Sequence, residues 1–312
     1  MSPIKRWMRS RVWAYFIPLV SIIFCLTALG SDLDAIRDAI NKAGAKWTAG
    51  VTSVSDLPRE EKEKLCGTYL VKIPPEEKIE VPVKLEKARL PDRFDWRDFE
   101  GKDWTTPVRN QGGCGSCWLF SAVGVFETLL NIEAGNPDLD IDLSEQYVLS
   151  CCDWCGSCGG GWPAHAFDFM KWSGTVTEEC MPYEADDTIP CEAACANPLY
   201  YYIGDWRFIN EYVENFKRAI YYYGPISACF EVYEDFFYYT GGVYEHVWGG
   251  LVGGHAIVIV GWDDNEQSWI CKNSWGPDWG ENGWFRIRWG QCGIQEYSTT
   301  MATLTAFPTA VL

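Results

Sequence analysis

Two cysteines three residues apart, Cys114 and Cys117, stand in GGCGSCWLF. A C-x-x-C pair can be a redox dithiol, half of a metal site, or neither. Cys117 falls where a glycine-rich loop gives way to CWLFSAVGVFETLLNI (117–132), an apolar run in which Glu127 is the only charge. Such a run reads as a helix buried on most faces. A thiol at its N-terminus ionises more easily than a free one, which suits a nucleophile and a redox pair alike. The partners decide between them. A thiol nucleophile needs a histidine to take its proton and return it to the leaving group. The chain has three, His165, His246 and His255. His255 lies in GGHAIVIVGW at the head of a strand, and Asn273 follows eighteen residues later in CKNSWG. His165, in PAHAFDF, reads as a packing or surface residue, and His246, in YEHV, as a residue at a cleft rim. A second cysteine run, CCDWCGSC, gives Cys152, Cys155 and Cys158 the spacing of an iron–sulfur ligand set. The fourth ligand is missing, because Gly161 is followed by Trp162 and Pro163. No metal and no cofactor are expected.

The elements that must position these residues follow from composition and periodicity. Residues 1–30 are basic and then apolar from Val12 to Leu29, with small residues at Ala28 and Gly30. This reads as a signal peptide, or as a membrane anchor if it is not cleaved. Bulky Phe24 before Cys25 argues against lipid attachment there. A secretory leader with fourteen cysteines implies a disulfide framework in an oxidising compartment. In residues 31–89, Leu33, Ile36, Ile40 and Ala43 share one helical face, LPREEKEKL fits a second helix, and KIPPEEKIEVPVKLEKARLP reads as an extended linker up to a boundary at Arg89–Leu90. Beyond it, helical runs (117–132, LSEQYVLS, AHAFDFMKW, ENFKRAIYYY) give way after Pro225 to strand-like runs (ISACFEVY, HAIVIVGW, SWICKNSW, GWFRIRW). A helical lobe followed by a β-rich lobe leaves a cleft between them for a site. The net charge of −17 is carried by residues 90–312, where 32 Asp and Glu face 11 Lys and Arg. That excludes nucleic acid as a partner and fits either a solvated acidic surface or an acidic working environment.

VRNQGGCGSCWLFSA, LSEQ, CGGGWP, GGHAIVIVGW and NSWGPDWGENGW resemble, in order, the blocks of the papain-family cysteine proteases, and within them the cathepsin B group. The spacing agrees: His255 lies 138 residues and Asn273 156 residues beyond Cys117. The resemblance covers residues 90–305, and KWTAG with KLCGTYL resembles the short cathepsin B-type propeptide. It implies an α+β papain-like fold of two lobes, helical on the left and β-barrel-like on the right, with the active-site cleft between them. It implies a cysteine endopeptidase made as a zymogen: leader 1–30, inhibitory propeptide 31–89, catalytic domain 90–312. Its partners would be peptide substrates and its own propeptide, with a membrane only if the leader is retained. A monomer in a secreted or lysosome-like compartment is expected.

Carried over by resemblance, Cys117 is the nucleophile, His255 the general acid and base, and Asn273 the group that orients the imidazole. Gln111 and the Cys117 backbone N–H would hold the oxyanion. Trp275 would shield the histidine–asparagine contact and Trp279 would line the leaving-group side. Gly160 and Gly161 would let substrate backbone approach. Pro163, Cys229, Ala256 and Tyr297 would line the pocket for the second substrate residue. The implied disulfides are Cys114–Cys158, Cys151–Cys191, Cys180–Cys195 and Cys152–Cys155, leaving Cys229, Cys271 and Cys292 as buried thiols. Cys66-Gly67 would run past the active site. Two departures matter. Cathepsin B has a long occluding loop with paired histidines that hold a substrate's C-terminal carboxylate. Here YEADDTIPCEAAC is short, lacks histidine and carries Glu184, Asp186 and Asp187, which should repel a carboxylate. Tyr297 stands where cathepsin B has a glutamate, which implies an apolar second residue and no preference for arginine there.

Overall fold

The computed structural model describes residues 32–82 and 89–304. The expected leader at 1–30 lies outside the described residues. The left lobe is built on α3 (Cys117–Ala134), which ends where Gly135 turns into the left-handed region at φ 61°. Glu127, the one charge in its apolar run, is buried and accepts hydrogen bonds from the Thr106 hydroxyl at 2.6 Å and the Leu143 N–H at 2.9 Å. Lys272 reaches the same Thr106 oxygen at 2.9 Å, so a buried polar network links α3 to the opposite lobe. Around α3 lie α4 (Glu145–Cys151), α5 (Pro163–Trp172) and a small hairpin, β4 (Gly156–Ser157) with β5 (Gly160–Gly161). Four disulfides, Cys114–Cys158, Cys151–Cys191, Cys152–Cys155 and Cys180–Cys195, all bind this lobe.

The right lobe is a ten-stranded sheet. Its catalytic-domain strands are β3 (Arg93–Asp95), β6 (Asp205–Ile209), β7 (Ile226–Tyr233), β8 (Tyr239–Tyr244), β9 (Leu251–Asp263), β10 (Ser268–Lys272), β11 (Trp284–Arg288) and β12 (Thr299–Thr303). Their order is β8-β11-β10-β9-β7-β12-β6, with β3 on β9. The long central β9 is buried almost throughout, as a strand covered on both faces must be. The amphipathic α6 (Val213–Tyr223) covers one face of this lobe through Phe216, Ala219 and Ile220.

Residues before Leu90 complete both ends of this sheet. Helix α1 (32–43) buries Ile36 and Ile40, while Ala43, expected on the same face, is exposed. Strand β1 (Trp47–Ala49) pairs antiparallel with β8 at one edge, and β2 (Lys78–Ile79) pairs parallel with β6 at the other. The proline-rich segment is therefore part strand rather than only linker. Helix α2 (Arg59–Lys64) lies between them. Charge follows the same division, with Arg59 on Glu234, Lys72 on Glu296 at 2.9 Å and Lys78 on Glu211 at 2.8 Å. Exposed pairs of this kind contribute little each. Trp47 contributes more: it is 3% exposed, stacked on Tyr239 at 6.3 Å and edge-on to Tyr244 at 5.2 Å. Trp47→Ala should cost ~3–5 kcal/mol of docking free energy. Added trypsin should then cut within residues 32–82 much faster; an unchanged rate would show that β1 docks without this ring.

Candidate active site

Helix α3 and strand β9 bring the chemistry together. Cys117 is the first residue of α3 and is fully buried. His255 lies on β9, also fully buried, and Ala256 beside it packs against Cys117. The imidazole Nε2 donates to Asn273 Oδ1 at 2.7 Å, which leaves Nδ1 as the free nitrogen, buried and without a hydrogen-bond partner. The same Asn273 oxygen accepts the Ser274 N–H at 2.8 Å, which fixes the amide's orientation. The Trp275 ring lies 4.9 Å from the imidazole and keeps water from this contact. Gln111 is held at both ends: its N–H donates to the Ser274 carbonyl at 2.8 Å, and Ser274 Oγ donates to its Oε1 at 2.7 Å. Its Nε2 donates to the Cys114 carbonyl at 2.9 Å and faces the Leu65 carbonyl at 3.4 Å. An amide donor beside a thiol at a helix N-terminus is the equipment to stabilise an oxyanion.

The cleft is filled by residues 65–70. Thr68 N–H donates to the Gly254 carbonyl at 3.1 Å, Tyr69 N–H to the Gly161 carbonyl at 3.1 Å, and Gly161 N–H to the Gly67 carbonyl at 2.9 Å. The segment thus pairs with both walls. Gly67 is forced at this point, because a Cβ there would sit 2.0 Å from the Gly115 carbonyl oxygen. Gly161 is forced from the other side, its Cβ position lying 2.4 Å from the Trp118 ring. Covered in this way, both reactive groups are pushed to neutrality. Burial raises the Cys117 thiol to about 12, against the backbone N–H groups of Ala256, Gly67 and Trp118. Burial lowers His255 to about 4, against the Asn273 hydrogen bond and the Leu65 carbonyl.

Cys229 and Ala256 face each other across β7 and β9 and form, with Cys117 and Tyr297, the pocket that receives Leu70. Gly160, at φ 125°, precedes Gly161 in the opposite wall, and Pro163 is the buried first turn of α5. Trp279 is placed otherwise than expected. It is fully buried among Phe236, Tyr239 and Phe285 and backs Trp275 rather than lining the cleft, because its ring completes the aromatic core of the right lobe. His165 sits between Trp154 and Trp162, and His246 stacks on Tyr233 with Nδ1 3.1 Å from Asp235. Both are spent on packing. Cys229, Cys271 and Cys292 are buried free thiols, as is Cys66. Sequence reasoning missed Ser274, Leu70 and Glu231. Ser274 meets Gln111 across 163 residues, which no local spacing signals. Glu231 Oε1 accepts the Tyr297 hydroxyl at 2.6 Å from a neighbouring strand.

The sequence profile described as papain family cysteine protease matches residues 90–302. A relative named "Cathepsin B-like CP3" from Giardia intestinalis is 36% identical over 292 residues, covering 88% of this chain and 96% of the relative. "Cathepsin B-like CP2" from the same organism is 38% identical over 223 residues, covering 68% of this chain and 74% of the relative. The solved structure of "proCathepsin B S9 from Trypanosoma congolense" superposes with a TM-score of 0.77 at 28% identity, covering 88% of this chain and 97% of that one.

Two outcomes follow from the covered geometry. Gly67→Ala should lift the segment off Gly115 and raise the rate of Cys117 alkylation by at least about tenfold, read by peptide mass spectrometry; equal rates would show that the segment does not guard the thiol. The second concerns acid. An exposed imidazole takes its proton near 6.5, the buried His255 only near 4, so its contribution to the closed state is complete above 6.5 and is lost as pH falls towards 4. In a Cys117→Ala chain, hydrogen exchange of residues 64–70, corrected for intrinsic rates, should accelerate across that window. A flat profile would remove His255 from the release step.

Proposed function

The chain belongs to the papain family of cysteine proteases, a peptidase made as a zymogen, and from that premise we propose how its residues divide the work. Residues 31–89 act as the inhibitory propeptide, 90–312 as the catalytic domain, and 1–30 as the leader. The supporting observation is the Nε2–Oδ1 contact of 2.7 Å between His255 and Asn273, which aims the other imidazole nitrogen away from Asn273 and leaves it free for the thiol. The Cys117 sulfur attacks the scissile carbonyl carbon as His255 holds the thiol proton. Negative charge on the carbonyl oxygen is met by Gln111 Nε2 and the Cys117 N–H. The Leu65 carbonyl, 3.4 Å from Gln111 Nε2, is a stand-in for that oxygen in the closed form. Collapse of the intermediate breaks the C–N bond, and His255 gives its proton to the departing amine. Water then cleaves the thioester by the same route in reverse.

The reading extends to internal cleavage. The loop at 184–187 is short and firmly held: Gln146 Nε2 donates to the Asp186 carbonyl at 2.7 Å, and Asp187 Oδ2 accepts the Cys158 N–H at 2.8 Å. Ala185 in this loop lies 3.5 Å from the Cβ position of Gly112, so the acidic turn borders the cleft near the Cys114–Cys158 bridge. Such a wall repels a substrate's terminal carboxylate and admits a continuing chain. The four disulfides support a secreted or lysosome-like oxidising compartment.

At mildly acidic pH with a thiol reductant, the chain should make internal cuts in peptides with blocked and free ends at similar rates. Cys117→Ala should lower those rates by about a thousandfold or more. Trimming of dipeptides from free C-termini alone, with blocked ends spared, would overturn the endopeptidase reading. Cuts that survive the substitution would overturn the assignment of Cys117.

A further inference from the structure

Leu70 fills a pocket formed by Cys117, Cys229, Ala256 and Tyr297. Two residues on, Lys72 crosses the outside of that pocket. Its ammonium lies 5.6 Å from the Tyr297 ring centroid and 2.9 Å from Glu296 Oε2. On the other side of the ring stands a second carboxylate. Tyr297 donates its hydroxyl to Glu231 Oε1 at 2.6 Å, and Tyr233 donates to Oε2 at 2.8 Å. The Glu231 hydrogen bond pushes both phenols up to about 12, so both remain donors to an anionic acceptor. Glu231 follows Cys229 by two residues on β7 and therefore shares its face of the sheet. Its partner across the ladder is Gly254, whose carbonyl holds the Thr68 N–H. The pocket thus has an apolar body, an aromatic outer wall and two carboxylates beyond it, and in the closed form a primary ammonium already rests there.

We propose that Glu231 and Glu296, with Tyr297 as the platform between them, seat the cationic end of a lysine or arginine side chain at the second residue before the scissile bond, and that Lys72 occupies this seat in the zymogen. This rests on the peptidase reading above. The absence of a glutamate at position 297 led to the opposite expectation, but the carboxylate is supplied from β7 instead. Arginine suits the seat well, since its apolar stem can follow the path of Leu70 while its planar head meets a ring face and a carboxylate. Lys72 and Glu296 are 65% and 60% exposed, so solvent screens this pair and the preference is moderate.

The test uses the full chain after it has processed itself, with two peptides that differ only at the second residue, arginine or its neutral isostere citrulline. The ratio of kcat/KM for the two is taken within each variant, so a variant of lower overall activity still reports. Wild type should favour arginine by about tenfold, the preference shrinking in high salt. In Glu231→Gln combined with Glu296→Gln the ratio should fall to about one, with Glu231→Gln alone intermediate. Equal cleavage of the two peptides by wild type, or a ratio that survives the double substitution, overturns this inference and leaves the peptidase reading intact. Failure to cleave any peptide, in protein shown to have lost residues 32–82, overturns both.

Discussion

The packing of α3 against β9 is the constraint on which the rest depends. The thiol belongs to one lobe and the imidazole to the other, so the distance between them is set by how closely a helix can lie on a strand. Small residues make that contact: Ser121 and Ser227 share a hydrogen bond at the junction, and the Cβ position of Gly124 is 3.2 Å from Val258. The Glu127–Thr106–Lys272 network ties the same helix to the residue preceding Asn273. A buried carboxylate and ammonium are costly to isolate and keep their cost low by sharing Thr106, so helix and strand have one favourable register. Cys117, His255 and Asn273 inherit it.

The closed form uses that architecture without running its chemistry. Residues 65–70 make backbone pairs with both walls, place a carbonyl before the oxyanion donor and a leucine in the side-chain pocket, and exclude water from the thiol and the imidazole. Excluding water is itself inhibitory. A thiolate–imidazolium pair needs solvation or close mutual contact to outweigh desolvation, and burial drives both groups towards their neutral forms. Inhibition and acid sensitivity therefore come from one cause, the cost of charge under the segment.

What could be read in the sequence was what is local or periodic. The uncharged face of α3, the alternation and β-branched content of β7 and β9, and the helical stripe of Leu33, Ile36 and Ile40 each declare themselves within a dozen residues. The nucleophile and its partners were legible because their flanking glycines and tryptophans form recognisable blocks. Contacts between distant strands were not. Ser274 gripping Gln111 and Glu231 beneath Tyr297 depend on register across the lobe, which composition does not encode. Trp279 was misplaced for a related reason: two tryptophans four residues apart look equivalent until the fold puts one over the imidazole and the other into the aromatic core. The strand at Lys78–Ile79 was hidden by its prolines, since a two-residue edge pairing needs no periodic signature.

The sheet has no bare end while residues 32–82 are in place, because β1 closes one edge and β2 the other. Proteolytic maturation strips both at once, so the event that switches on turnover also creates two rows of unpaired amide groups. The β6 side is guarded by Asp205 and Arg207 along its length. The β8 side, YTGGVY, has no charge of its own and two adjacent glycines. The mature molecule therefore carries an adhesive margin that its precursor lacks, and its colloidal lifetime, rather than its catalytic machinery, sets how long it persists once released.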